Sequence, residues 1–173
     1  MVNEKDAVQA RSLLEQPSAQ LCNLKLRGEH DAALTDVIIN GKGDAPGYRH
    51  YLEQLRGLRP ASDTPWDSGL WASWAGSVLS AFDEFRLLCA LRRGPWGVEG
   101  LNQRVAAELH RCELLAGEQG WYEGRPVLVT RNDYSLNLMN GDIGIALWVS
   151  GPNAERVLRV ASRAMMAAAA YAS

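Results

Sequence analysis

The sequence lacks the features that mark several common classes of protein. It has only three cysteines in 173 residues, too few for a disulfide framework, and they show no metal-ligand spacing with the three histidines. No apolar run approaches the roughly 18 residues needed to cross a membrane, and the N-terminus shows no signal-peptide pattern. These absences predict a soluble, cytoplasmic protein with no membrane partner and no metal site.

Motifs for binding nucleoside triphosphates are also missing. No GxxxxGK[ST] loop occurs, and the nearest stretch, NGKGD at residues 40–44, has the wrong spacing and no following Ser or Thr. We therefore predict a turn there. No Asp-Glu pair follows an apolar strand as a magnesium-holding partner would. The sequence predicts no catalytic residue and no cofactor in this chain.

Positive and negative charges nearly balance over the whole chain, but they are unevenly distributed along it. The net charge is −2 and the pI about 5.9, which argues against a free-standing protein that binds nucleic acid tightly. Residues 86–111, however, hold five arginines against two glutamates, a local net charge of +3. Any contact with an anionic partner is therefore predicted in that region.

The spacing of apolar residues predicts helices in the first two thirds of the chain. Apolar positions recur every three or four residues, and Pro, Gly or Asn follows several of these segments. The predicted helices cover residues 4–15, 31–39, 47–56, 69–85 and 100–115. We interpret the tryptophans of the fourth helix as core residues, and residues 57–69 as a loop.

Strands are predicted mainly in the last third. Short apolar runs bounded by turn residues occur at 87–91, 126–130, 143–149 and 155–160. Between the predicted strands 126–130 and 143–149, Asn140 and Gly141 offer the positive φ angles that a turn needs. The order helix, strand, helix around residues 87–91 indicates an α/β layer, so the fold class is mixed α/β with a helical first half.

Arg92, Arg93 and Trp96 are the strongest local candidates for a binding site. They surround a Gly-Pro turn at the end of the predicted strand 87–91, and ligands of α/β proteins usually bind at such strand ends. Arginine there could hold a backbone phosphate, and tryptophan could stack on a base. The alternative is a solvated surface turn.

Two segments closely resemble one protein family. The first is FRLLCALRRGPWGVEGLN at residues 85–102; the second comprises WYEGRPV, ND and NGDIGIAL at 121–127, 132–133 and 140–147. Both resemble the RecD subunit of the bacterial RecBCD (exodeoxyribonuclease V) helicase-nuclease. The resemblance is specific over 82–147 and weaker over 1–60, and it corresponds to the middle of a much longer family sequence.

This resemblance implies an organisation and a set of partners. It implies helices over 1–85 before the second motor domain, part of that RecA-like domain over 86–120, and a partial Src-homology-like β-barrel over 121–161. It implies single-stranded DNA and RecB-like and RecC-like subunits as partners, in double-strand-break repair and recombination. The candidate DNA contacts become Arg92, Arg93, Trp96, Asn102, Arg131 and Asn140.

The departures from the family pattern concern catalysis. The Walker A lysine, the Asp-Glu pair, the GDxxQL and VHKSQGSEF segments and the final TRAR arginine motif are missing. ATP and magnesium are therefore expected only for the full-length parent, an ATP-dependent 5′-to-3′ helicase subunit, and this chain by itself is expected to lack ATPase activity. The Ala-rich residues 162–173 no longer resemble the family, as in a truncated or frameshifted gene; a genuine terminal helix is the alternative.

Two other functions remain open at the level of the sequence. One is a stand-alone module that binds protein or single-stranded DNA. The other is a non-functional truncated remnant with unpaired strand edges.

Overall fold

In a computed structural model, the described residues are Gln9, Ser12, 24–29 and 31–163, and they form a mixed α/β fold. Within residues 31–163, four helices precede a small antiparallel sheet, which confirms the predicted class. The helices are α1 (Ala32–Asn40), α2 (Tyr48–Gly57), α3 (Gly69–Asp83) and α4 (Val98–Arg111). The strands are β1 (Pro126–Leu128), β2 (Ile143–Ser150) and β3 (Arg156–Ser162).

Two of the four helices, α1 and α3, begin at a residue whose side chain caps them. The Asp31 carboxylate accepts from the backbone N–H of Ala33 at 2.9 Å, and the Ser68 hydroxyl accepts from that of Leu70 at 3.3 Å. Each bond satisfies one of the backbone donors that the first turn of a helix leaves free. The predicted helix 4–15 lies outside the described residues, apart from Gln9 and Ser12, which are helical. The Ala-rich residues 164–173 also lie outside them.

Helices α2 and α3 pack face to face and supply most of the core. The predicted apolar face of α2 is confirmed, since Tyr51, Leu52 and Leu55 are buried. On α3, Trp74 is only 3% exposed, and its indole N–H donates to the carbonyl of Leu55 at 3.1 Å. The interpretation of this tryptophan as a core residue is therefore confirmed.

The sheet has the order β1-β2-β3, and its central strand is packed against the helices. In β2, Ile145 and Leu147 are 0% and 1% exposed, and both belong to the same buried cluster as the residues of α2 and α3. Burying a side chain of this size contributes about 1.5–3 kcal/mol relative to leaving it in water. Helices and sheet thus share one core. The predicted strands at 126–130, 143–149 and 155–160 are confirmed, with small shifts at their ends.

A partly buried ion pair joins the loop between α2 and α3 to the sheet. The guanidinium of Arg59 lies 2.6 Å from the carboxylate of Glu123 and packs over the ring of Trp74. The other carboxylate oxygen of Glu123 accepts from the backbone N–H of Trp148, in β2, at 2.9 Å. A long loop is thereby held against β2.

The predicted strand at residues 87–91 is wrong. The segment is extended and its side chains alternate between half-buried and exposed, but it pairs with no strand among the described residues. Only an isolated parallel bridge links Leu91 to Gly97. A strand needs a neighbour to accept its backbone hydrogen bonds, and the described part of the chain offers none. The predicted α/β layer is therefore absent here, and the sheet is antiparallel.

The turn before β2 also differs in detail from its prediction. Positive φ occurs at Gly141, at 99°, and at Asn137, at 52°, but not at Asn140. Within the Asn-Gly pair, the reversal therefore uses a positive φ angle at Gly141 alone.

No described helix is long and apolar enough to cross a membrane. The longest, α3, has 15 residues, against the roughly 20 that a bilayer requires.

Replacing Gly124 by alanine is expected to weaken the junction between helices and sheet. Gly124 has a φ of 83°, and an added Cβ would lie 2.9 Å from Cδ2 of Leu52 and 3.1 Å from Cδ2 of Leu115. Because both backbone strain and crowding result, the free energy of unfolding should fall by about 1–3 kcal/mol. Urea unfolding followed by tryptophan fluorescence measures it.

The matched control is Gly57→Ala, at the end of α2. A Cβ there meets nothing within 4 Å, so the free energy of unfolding should stay within about 0.5 kcal/mol. Equal stability of the two variants would contradict the packing described for Gly124.

Candidate nucleic-acid interface

The turn between the extended segment and α4 is held rigidly by backbone hydrogen bonds. The N–H of Val98 donates to the carbonyl of Leu91 at 3.0 Å, and that of Glu99 to the carbonyl of Arg92 at 3.3 Å. Gly100 lets the turn lie against the helix, because a Cβ there would come within 2.5 Å of the carbonyl oxygen of Gly94. These bonds use the first free N–H groups of α4, so this helix start is not itself an anion site.

Arg92 and Arg93 project from this turn with exposed side chains. Among the described residues, neither guanidinium makes a hydrogen bond, an ion pair or a ring contact. The flanking arginines behave differently: Arg86 pairs with Asp83, and Arg111 pairs with Glu108. Two positive charges at the turn are therefore uncompensated by the described part of the chain and available to an anionic partner.

Trp96 is held in place by an arginine from α4. Its side chain is 37% exposed, and the guanidinium carbon of Arg104 lies 5.3 Å from the ring centroid. Arg104 also donates to the carbonyl of Pro95 at 3.0 Å and lies 3.7 Å from a carboxylate oxygen of Glu29. The ring is thus fixed by a cation–π contact and stays partly open to a stacking partner.

Asn102 lies on α4, one turn beyond the start of the helix, with an exposed side chain. Its amide makes no hydrogen bond with the described residues. It lies at the edge of a cavity of about 320 Å³ between α4 and β1. Asn102 therefore adds a free donor and acceptor close to the turn that carries the arginines.

Arg131 and Asn140 lie on a different element, the loop between β1 and β2. The side chain of Arg131 is exposed and makes no hydrogen bond, ion pair or ring contact with the described residues. The backbone N–H of Asn140 donates to the side-chain carbonyl of Asn132 at 2.7 Å. The structure thus groups Arg92, Arg93, Trp96 and Asn102 around one turn and places Arg131 and Asn140 in a second group.

Side-chain hydrogen bonds order this second loop. One carboxylate oxygen of Asp133 accepts from the hydroxyl of Ser135 at 2.6 Å and from the N–H of Leu136 at 3.2 Å. The bonds from Ser135 and Leu136 hold the pKa of Asp133 below its usual value. The loop exposes Tyr134, 79% accessible, whose hydroxyl accepts from the amide of Asn132 at 3.1 Å.

Sequence reasoning missed the roles of Arg104, Glu29 and Tyr134. Arg104 was counted only as part of the local charge, because its contact with Trp96 depends on how the turn folds back onto α4. Tyr134 had a visible signal, since it is an aromatic residue between Asp133 and Ser135 in a polar loop. Glu29 had none, because it lies far from the turn in sequence.

The structure shows no metal-binding cluster among the residues it describes. Cys89 and Cys112 are half-buried free thiols. The predicted turn at NGKGD is confirmed: the N–H of Lys42 donates to the carbonyl of Ala45 at 2.9 Å, and the N–H of Ala45 donates back at 3.1 Å. This closed turn leaves no open loop of backbone amides for phosphates.

Replacing Arg104 by glutamine is expected to release Trp96. In protein labelled with 5-fluorotryptophan, the ¹⁹F resonance of Trp96, assigned with a Trp96→Phe variant, should sharpen and move towards its position in unfolded protein. The reason is the loss of both the cation–π contact and the hydrogen bond to Pro95. The control is Arg159→Gln, which removes an exposed arginine of β3. An unchanged Trp96 resonance, or an equal shift in both variants, would contradict the clamp.

Comparison with known proteins agrees with the resemblance seen in the sequence. No protein-family model matches the chain. The RecBCD enzyme subunit RecD of Haemophilus influenzae is 37% identical over 123 residues, which cover 63% of this chain and 19% of that relative. The RecD subunit of Mycolicibacterium smegmatis is 38% identical over 122 residues, 69% of this chain and 22% of that relative. The RecD subunit of Mycobacterium tuberculosis is 48% identical over 87 residues, which cover 47% of this chain and 14% of that relative.

The chain spans about a fifth of the length of the curated relatives it matches, 19% and 22% for the first two. These three relatives all carry the name RecBCD enzyme subunit RecD. The similarity covers a part of each relative and not the whole. The predicted resemblance to RecD subunits is confirmed over up to 69% of this chain.

Proposed function

We propose that this chain is part of a RecD-like helicase subunit and contacts single-stranded DNA through the turn at residues 92–96. One observation carries the proposal: Arg92 and Arg93 project from a rigid turn without a partner among the described residues, next to the clamped ring of Trp96. Similarity to RecD subunits supports it.

The chemistry of this turn suits a nucleic-acid single strand. Arginine pairs with phosphate oxygens along the backbone, and a partly exposed tryptophan stacks on bases of any sequence. Arg92, Arg93 and Trp96 all lie within five consecutive positions. An extended chain spans at most about 3.3–3.6 Å per residue, so the charges and the ring lie close enough to contact neighbouring nucleotides. Arg131 and Asn140 would provide a second, separate contact.

The helicase reaction belongs, in this proposal, to the parent subunit. ATP and magnesium would be held by the Walker and Asp-Glu motifs, which this sequence lacks. The described residues that come nearest to such a loop form the closed turn around Lys42. We therefore propose that the chain by itself binds DNA without hydrolysing ATP. In the parent, ATP-driven 5′-to-3′ unwinding would serve double-strand-break repair and recombination.

The extended segment 85–91 supports a larger parent fold. Its side chains alternate as in a strand, and Leu88 is 87% exposed, yet no described strand pairs with it. We propose that this segment belongs to a RecA-like domain and is covered by other parts of the parent, since the chain spans about a fifth of its relatives. Residues 86–120 would belong to that domain, 121–161 to a partial Src-homology-like β-barrel, and 1–85 to the preceding helices. RecB-like and RecC-like subunits are the proposed protein partners.

A second candidate function is a module that binds protein. The loop between β1 and β2 exposes Tyr134, Leu136 and Met139, of which 79%, 52% and 49% are accessible. Aromatic residues and methionine are enriched in protein interfaces. The loop is already ordered by the bonds to Asp133, so little entropy would be lost on binding.

The proposal is tested by binding to a fluorescein-labelled oligo(dT), followed by anisotropy at several salt concentrations. Arg92→Gln combined with Arg93→Gln should weaken binding at low salt. It should also reduce the slope of log affinity against log salt by about 1.4, since each phosphate contact on a single strand contributes roughly 0.7.

The matched control is Arg86→Gln combined with Arg111→Gln. It removes the same charge from two arginines that are paired with Asp83 and Glu108, and it should leave the slope nearly unchanged. An equal loss in both double variants would show a general charge effect. No binding by folded wild-type protein would refute the proposed DNA contact.

A further inference from the structure

A cavity of about 320 Å³ lies where α4, the helical core and β1 meet. Its walls are largely aromatic and aliphatic. Tyr48, Tyr51, Phe82 and Tyr122 contribute rings, and Val105, Ala106 and Leu109 contribute the face of α4. Binding sites for small molecules have volumes from about 300 Å³ upwards and are lined mainly by such side chains, with a few polar groups. The cavity therefore has the size and lining of a site for a small, flat ligand.

The polar groups at this cavity favour a neutral ligand with donors and acceptors. Asn102 and Gln103 line it, and neither amide makes a hydrogen bond among the described residues. The charged residues of the lining, Glu118 and Arg125, have opposite signs. The hydroxyl of Tyr51 is already used, since it donates to the carbonyl of Gly124 at 3.0 Å. The amides of Asn102 and Gln103 are thus free, and an amide matches the hydrogen-bonding edge of a base.

The cavity and the proposed DNA-binding turn share helix α4. Asn102 lies one helical turn beyond the first residue of α4, and Trp96 lies two residues before it.

We propose, building on the proposed contact with single-stranded DNA, that this cavity is a pocket for a nucleobase. A base turned out of the strand would lie among the tyrosine and phenylalanine rings, with its edge bonded by Asn102 and Gln103. Aromatic packing of unstacked bases and hydrogen bonding to their edges is the usual way in which proteins hold them. An apolar side chain of a protein partner is the competing occupant.

The test uses deoxyadenosine, which carries a base but no phosphate, and saturation-transfer NMR with the full chain. Ala106→Phe fills the cavity from the wall of α4. We expect at least about a tenfold loss of affinity, since even one methylene in an apolar pocket changes binding by that order. Ala107→Phe is the matched control, because Ala107 is the next residue of α4, is exposed and does not line the cavity. Thermal melting confirms that both variants fold.

Saturable binding that Ala106→Phe abolishes and Ala107→Phe preserves would support the pocket. Asn102→Ala should also weaken it. No saturable binding, or equal binding by the Ala106→Phe and Ala107→Phe variants, would overturn the inference. Binding of N-acetylphenylalanine amide without binding of deoxyadenosine would also overturn it and identify a protein side chain as the occupant. Because the nucleoside lacks phosphate, oligo(dT) binding that persists without nucleoside binding would refute the pocket and leave the proposed function intact.

Discussion

The burial of β2 against the helices is the constraint on which the rest of the structure depends. Ile145, Ala146 and Leu147 are almost completely buried, and a three-stranded sheet of this size is not stable without such packing. Gly124 connects the two layers, since its N–H donates to the carbonyl of Ala146 at 2.8 Å and its carbonyl accepts from Tyr51. Burial raises the pKa of the Tyr51 hydroxyl, which therefore remains a neutral donor.

This shared core gives the candidate interface its rigidity. Leu101 and Leu109 fix α4 by burial, being 6% and 3% exposed. Backbone hydrogen bonds join the turn before α4 to the start of the helix. Arg104, farther along α4, holds the ring of Trp96 by a cation–π contact. The guanidinium groups of Arg92 and Arg93 can stay without a partner among the described residues, because backbone hydrogen bonds and not these side chains hold the turn. Rigid backbone and free charge together favour binding, since little order must be gained when a ligand arrives.

Sequence patterns predicted the elements that local chemistry determines. The helices predicted at 31–39 and 69–85 and the buried face of α2 follow from apolar spacing, and in the structure the side chains of Asp31 and Ser68 cap the first two of these segments. The strand at 87–91 was predicted wrongly, because its apolar alternation is real but its pairing depends on a neighbour that the described residues do not contain. The clamp of Arg104 on Trp96 and the cavity beside Asn102 arise only from tertiary packing. No periodicity in the sequence reports such contacts.

Hydrogen exchange followed by mass spectrometry, with and without oligo(dT), would test both the shared core and the DNA contact at the turn. We expect β2, α2 and α3 to exchange slowly as one unit, and residues 86–90 to exchange fast. We also expect the oligonucleotide to protect the peptides spanning 91–104. A sheet that exchanges independently of the helices would contradict the shared core. Protection confined to other segments, or none, would contradict the placement of the DNA contact on this turn.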